Sequence, residues 1–218
     1  GVIFMPVTTP EQKIKKTKTF GGDRIEVRLT GDYFDDTLSA AQAYCQSVSG
    51  HFLSPFDDED VIEGQASVGV EIAAQLGTPD MIVMPVGGGG LASGVSSYFG
   101  ADAFRAGHPS RLNYIDTFAD GAAVAQSGSK TFERLQHLGA DVAHAVSEDR
   151  LCTTMIEMLN VEGFVLEPAG AVAIDVLKDI EDDIKGKTVV CVSSGGNFDF
   201  ERLPEVKERA LRSSGIKK

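Results

Sequence analysis

Apolar residues recur along the chain at two spacings. Continuous apolar runs at residues 2–7, 81–86 and 188–192 end at turn residues, and they predict strands buried in parallel sheets. Residues 25–29 alternate with charged ones and predict a further strand; the short run 51–54 predicts another. Between them Phe34, Leu38, Ala41, Cys45 and Val48 repeat at helical spacing, and Gly50 is placed to end that helix. Helices are predicted likewise at 67–76, from Leu91, from Ser147 with Leu151, Met155, Met158 and Leu159 turned inward, at 169–180 and at 203–212. Thr9-Pro10-Glu11-Gln12 reads as a capping box opening a basic helix that Gly21-Gly22 ends. The carboxylates of residues 57–60 precede Val61 and favour a helix N-terminus. Strands and helices alternate throughout, so the expected class is α/β with mainly parallel sheets.

Composition narrows the function classes. The chain has 218 residues, 42% hydrophobic and 24% charged, with a mean hydropathy of -0.04. That balance suits a folded soluble protein and excludes disorder, coiled coil and collagen. The net charge of -12 argues against nucleic acid as a partner. The basic stretches, Lys13, Lys15, Lys16 and Lys18 and the 202–218 tail, lack interleaved aromatics and read as solvated helix faces. No apolar run approaches the ~20 residues a membrane span needs. Cys45, Cys152 and Cys191 are far apart, form no CxxC and sit in apolar runs, so buried reduced thiols in a cytoplasmic protein are expected. His51, His108, His137 and His144 show no ligand spacing, and no metal site is expected. The opening residues carry no signal-peptide pattern and no initiator Met; the chain reads as beginning in mid-strand, within a larger protein.

Three motifs carry chemistry. The run 81–86 enters Gly87, Gly88, Gly89 and Gly90, and Leu91 then opens a helix. Four residues without side chains let backbone N–H groups wrap an anion at a helix N-terminus, and a phosphate is the natural guest. The loop is not a Walker loop, since no Gly-Lys-Ser/Thr follows, and it overlaps only loosely with GxGxxG through Gly89, Gly90 and Gly94. The run 188–192 enters Ser193-Ser194-Gly195-Gly196-Asn197, where Ser194 offers a neutral hydroxyl. Ligands of open α/β sheets sit at the carboxyl ends of strands, so both loops could face one cavity. In Glu167-Pro168-Ala169-Gly170-Ala171, small residues open a helix behind a carboxylate, and Glu167 by itself reads as a capping group.

In this order GGGGL, EPAGA and SGGN resemble the pyridoxal-phosphate-dependent threonine dehydratases, of the fold type II, tryptophan-synthase-β-like superfamily. Pro55-Phe56-Asp57-Asp58, Glu63-Gly64-Gln65, Asp120-Gly121-Ala122-Ala123-Val124 and Phe200-Glu201-Arg202-Leu203 are similar to its members, as is the opening Val2-Ile3-Phe4-Met5-Pro6. The resemblance implies two three-layer αβα lobes: residues 1–56 most of a small mobile lobe, residues 57–218 a larger cofactor-binding lobe. It implies that Gly87, Gly88, Gly89, Gly90 and Leu91 hold the phosphate of pyridoxal 5'-phosphate. Ser194 and Gly195 would meet the pyridine side, and Glu167 would lie near the ring. A neutral serine partner cannot keep the ring nitrogen protonated, which favours β-elimination over transamination. The implied reaction takes water from L-threonine or L-serine, giving 2-oxobutanoate or pyruvate and ammonia, in isoleucine synthesis or threonine catabolism. A homodimer or homotetramer is implied.

The sequence departs from this pattern in three places. The lysine that forms the Schiff base, and the Ser-x-Gly-Asn-His segment for the substrate carboxylate, are expected upstream of Gly1. Gly128-Ser129-Lys130 matches neither, so no catalytic residue is assigned within the chain. At residues 99–102 a strand and turn usual in the family are missing, and Asp102 alone makes no metal site. Gln65-Ala66-Ser67 replaces a usual Gln-Gly-Ser/Thr. The alternatives left open are a serine racemase or other hydroxy-amino-acid dehydratase on the same scaffold, or a cofactor-less fragment or phosphate-binding module.

Overall fold

The structure is a computed structural model, and it describes residues 1–99, 118–119, 121–124, 127–138 and 144–215. The departures expected at residues 100–109 lie outside the described residues. The chain divides into two compact units, Gly1–Ser54 and Pro55–Lys218.

In the first unit β1 (Val2–Met5) and β2 (Glu26–Leu29) pair in parallel, Val2 opposite Glu26 and Met5 opposite Leu29. Helix α1 (Glu11–Gly21) makes the crossover between them. Its expected capping box does not form. Pro10 is the N-cap, its side chain has no acceptor atom, and among the described residues the buried Gln12 side-chain oxygen has no partner. Gly22 ends the helix at φ 51, a left-handed conformation that costs a residue without Cβ little. Helix α2 (Phe34–Ser47) packs on β1, where the rings of Phe4 and Tyr44 lie 5.5 Å apart. The expected strand at 51–54 is absent. Among the described residues no strand pairs with it to take its backbone groups, and Leu53 is 60% exposed. Thr37 is the sole buried residue of this unit.

The second unit holds the apolar core. Helix α3 (Glu59–Leu76) starts eight residues earlier than the periodicity suggested. The Asp58 carboxylate caps it, accepting from the N–H of Asp60 at 3.0 Å and of Val61 at 3.3 Å. Ala66 sits in the interior of this helix, where a glycine is not required. Strands β3 (Met81–Val83) and β4 (Val189–Cys191) pair in parallel, Met81 opposite Val189 and Val83 opposite Cys191. Both are shorter than their apolar runs; beyond Val83, Pro85 has no N–H to give a ladder. Helix α4 (Gly90–Phe99) packs closely on α3: a Cβ on Gly94 would come within 2.5 Å of the Ile62 carbonyl.

Helix α5 (Ser129–Leu138) follows, then α6 (Glu148–Glu157), whose Leu151, Cys152 and Met155 are buried. Met158 and Leu159, expected inward on the same helix, fall in a π-helical turn and are half-buried. Helix α7 (Pro168–Asp175) stops short of the expected residue 180 and gives way to a 3-10 turn, the short α8 (Glu181–Ile184) and β4. Helix α9 (Leu203–Ser213) closes the core, in which Leu151, Cys152, Met155, Ala171, Phe198 and Val206 pack around Phe118. Of the three thiols Cys152 is buried, whereas Cys45 and Cys191 are half-buried, so the expectation of three buried thiols holds for one. Burial pushes the Cys152 thiol up to about 12 and the Cys191 thiol up to about 11. Among the described residues no helix is long and apolar enough to cross a membrane.

Candidate active site

The register of β3 against β4 fixes the site. Val83 and Cys191 are paired at the carboxyl ends of adjacent parallel strands, and the Val192 N–H still donates to the Val83 carbonyl at 2.9 Å. The glycine loop and the Ser193–Asn197 loop therefore leave the same end of one small sheet.

The glycine loop is held from three sides. A Cβ on Gly88 would overlap the Phe56 ring, and one on Gly87 would come within 2.9 Å of the Ala122 backbone. Gly89 has φ +95, which a side chain strains, and a Cβ there would stand 2.9 Å from the Thr131 side chain. Gly89 and Gly90 are buried, and Gly90 begins α4. Among the described residues no acceptor meets the N–H groups of Gly87, Gly88, Gly89, Gly90 or Leu91. Donors left open at a helix N-terminus, on buried and half-buried residues, are the equipment of an anion site.

The other side of the site is built by contact between the two remaining motifs. The Glu167 N–H donates to the Gly195 carbonyl at 3.1 Å, and the Ser193 hydroxyl donates to the Gly170 carbonyl at 3.1 Å. A Cβ on Gly170 would overlap the Gly195 carbonyl, and one on Gly195 would overlap the Glu167 carboxylate. Glu167 stands at the N-cap of α7 but makes no side-chain cap bond, so the capping role read from the sequence is not the one it plays. Its carboxylate lies against Gly195 instead. Ser194 is exposed, and among the described residues its hydroxyl has no partner.

Gly121 and Ala122 connect the two halves. Gly121 lies beside Ala169 and Glu167, its Cβ position 3.0 Å from the Ala169 methyl and 3.7 Å from Glu167 Oε1, while Ala122 backs Gly87. In the sequence these residues stand out only for their resemblance, which gives no sign of their place at the site. Phe56 and Asp57 enter the sequence reading only through resemblance and Thr131 not at all, since nothing local ties them to a loop dozens of residues away. Lys130 is exposed at the start of α5, and its N–H donates to the Asp57 carboxylate at 2.8 Å. Among the described residues no group of three His, Cys, Asp or Glu side chains is arranged to hold a metal ion.

Residues 1–195 match the family described as pyridoxal-phosphate dependent enzyme. The biosynthetic L-threonine dehydratase IlvA of Lactococcus lactis is 42% identical over the whole of this chain, which covers 58% of that relative. Its counterpart from Bacillus subtilis is 42% identical over 99% of this chain and 56% of its own length. The chain thus spans little more than half the length of these curated relatives. Among solved structures, the processed form of threonine deaminase isoform 2 from Solanum lycopersicum is similar at a TM-score of 0.83 and 34% identity, over 96% of this chain and 66% of that one. With the family match running through the glycine loop and into the Ser193–Asn197 loop as far as Gly195, the chain belongs to the pyridoxal-phosphate dependent enzymes of fold type II.

Proposed function

We propose that the protein is a lyase that removes water from L-threonine, and from L-serine, releasing 2-oxobutanoate or pyruvate with ammonia. The observation that carries this reading is the convergence of Gly87–Leu91, Glu167, Ser194 and Gly195 at one sheet end; the names of the curated relatives supply the reaction. The residues fit pyridoxal 5'-phosphate. The glycine-loop N–H groups, which meet no acceptor among the described residues, suit a doubly charged phosphate.

When bound, the cofactor supplies an electron sink for the charge that develops at the substrate Cα. The chain's own residues do the rest. Gly87, Gly88, Gly89, Gly90 and Leu91 anchor the phosphate through backbone donors. Ser194 gives the ring nitrogen a neutral hydroxyl partner, which limits how much charge the ring withdraws and suits elimination. Glu167, kept off its helix cap, lies beside Gly121 and Gly195 and would stand near the cofactor ring. A substrate amino acid, a homo-oligomeric assembly and a cytoplasmic setting belong to the same reading, as do a small mobile lobe at residues 1–56 and a cofactor lobe at 57–218.

The test is direct. The full protein supplied with pyridoxal 5'-phosphate and L-threonine is expected to make 2-oxobutanoate. With L-serine it is expected to make pyruvate in preference to D-serine. Cofactor binding without either keto acid would overturn the reaction, and dominant D-serine formation would replace it with racemisation.

A further inference from the structure

Thr131 lies outside every motif that pointed to the site, yet it is fully buried and touches the centre of the glycine loop. Its hydroxyl donates to the Gly88 carbonyl at 2.7 Å, with the Gly128 carbonyl further off at 3.1 Å. One hydroxyl proton serves one acceptor well, and the geometry favours Gly88. The Gly128 N–H donates to the same Gly88 carbonyl at 3.2 Å. There are no cis peptide bonds among the described residues, so the Gly89 N–H points away from the Gly88 carbonyl. Pinning that carbonyl to α5 thus turns the Gly89 N–H to the opposite side of the loop.

Thr131 is itself held in place. The Asp57 carboxylate accepts from the N–H groups of Ser129 at 3.2 Å, Lys130 at 2.8 Å and Thr131 at 3.2 Å, fixing the first turn of α5. From α4, the Ser93 hydroxyl donates to the Thr131 carbonyl at 3.0 Å. The loop, the helix it opens and α5 are joined through this one residue.

We infer that Thr131, seated by Asp57, is a positioning residue that aims the glycine-loop amides at the cofactor's phosphate. This rests on the reading that Gly87–Leu91 bind that phosphate. The role is specific to the phosphate end of the ligand, which separates it from a purely structural one. A residue that only supported the core would affect binding of phosphorylated and unphosphorylated cofactor alike.

The experiment compares the full wild-type protein with Thr131→Val and Thr131→Ser. For each, dissociation constants are measured for pyridoxal 5'-phosphate and for pyridoxal by absorbance and fluorescence titration. Thr131→Val is expected to weaken pyridoxal 5'-phosphate about tenfold, as loss of an oriented donor should, while pyridoxal changes by less than about twofold. Thr131→Ser, which keeps the hydroxyl, is expected to restore the preference. An unchanged constant for pyridoxal 5'-phosphate in Thr131→Val, or an equal loss for both ligands, would overturn the inference. A wild-type protein that binds the two ligands equally would instead overturn the underlying phosphate reading. Should Thr131→Val fail to fold, Asp57→Asn is read by the same ratio: a selective loss supports the inference, and an unchanged or equal loss overturns it.

Discussion

Gly88 and Gly195 are glycines because other groups occupy the space a side chain needs, the Phe56 ring in one case and the Glu167 carboxylate in the other. We expect Gly88→Ala to push Phe56 and the loop apart and to lower pyridoxal 5'-phosphate affinity by at least about tenfold, measured by titration, with a smaller fall in melting temperature. The sequence made the glycines conspicuous, but Phe56 and Thr131 meet the loop only after the chain folds back on itself. The thiols give a second residue-scale test. With Cys191 pushed up to about 11, its thiolate at pH 8 is about a hundredfold rarer than for a free thiol near 9. Alkylation of Cys191 by iodoacetamide at pH 8 should therefore speed up by about that factor in urea, followed by peptide mass spectrometry. The sign for stability follows. Burial favours the protonated Cys152 and Cys191, so above pH 9 the unfolded chain releases protons that the fold retains. Their contribution is intact below pH 9 and is lost as pH rises toward 11 and 12, and replacing Cys152 with Ala should flatten this alkaline fall in denaturant melts.

Helix α7 has Glu167 at its N-cap and, at its other end, an ionic knot around a buried Asp175. Asp175 is fully buried; it accepts from Arg150 Nε at 2.6 Å and from the Thr154 hydroxyl at 2.6 Å. Arg150 also reaches Asp179, and their hydrogen bond holds that carboxyl below the usual carboxylate range. The pair ties α6 to α7 and so sets where the N-terminus of α7 meets the Ser193–Asn197 loop. Arg150→Ala leaves the Asp175 carboxylate buried beside one hydroxyl and a more distant Lys178, and it is expected to cost about 3 kcal/mol in urea denaturation. Arg202, the N-cap of α9, and Arg209 within it lie over the buried Phe118 ring at 4.8 and 4.3 Å, just ahead of Gly121 and Ala122. At this scale the sequence was legible where periodicity was strong, as in α2, α6 and α9. The acidic run at 57–60 marks the start of α3, where Asp58 caps the helix, whereas apolar periodicity alone places that start at 67; the Thr9 box does not form because Pro10 takes the N-cap.

Across the whole molecule burial is unequal. Residues 1–54 bury Thr37 alone, while the second unit contains the packed cluster around Phe118. A unit of this size with so little interior cannot offset its chain entropy, so residues 1–54 expressed alone should show no cooperative thermal transition. Residues 55–218 should retain one, as read by circular dichroism. The sequence by itself determined the α/β class, the two strand-to-loop motifs and the small-residue helix starts, because these depend on neighbours a few positions apart. Only the tertiary structure decided that the loops share one sheet end, that Glu167 abandons its cap for Gly195, and that Asp57 and Thr131 hold the glycine loop. Those outcomes arise from contacts between residues tens of positions apart, for which local periodicity carries no signal.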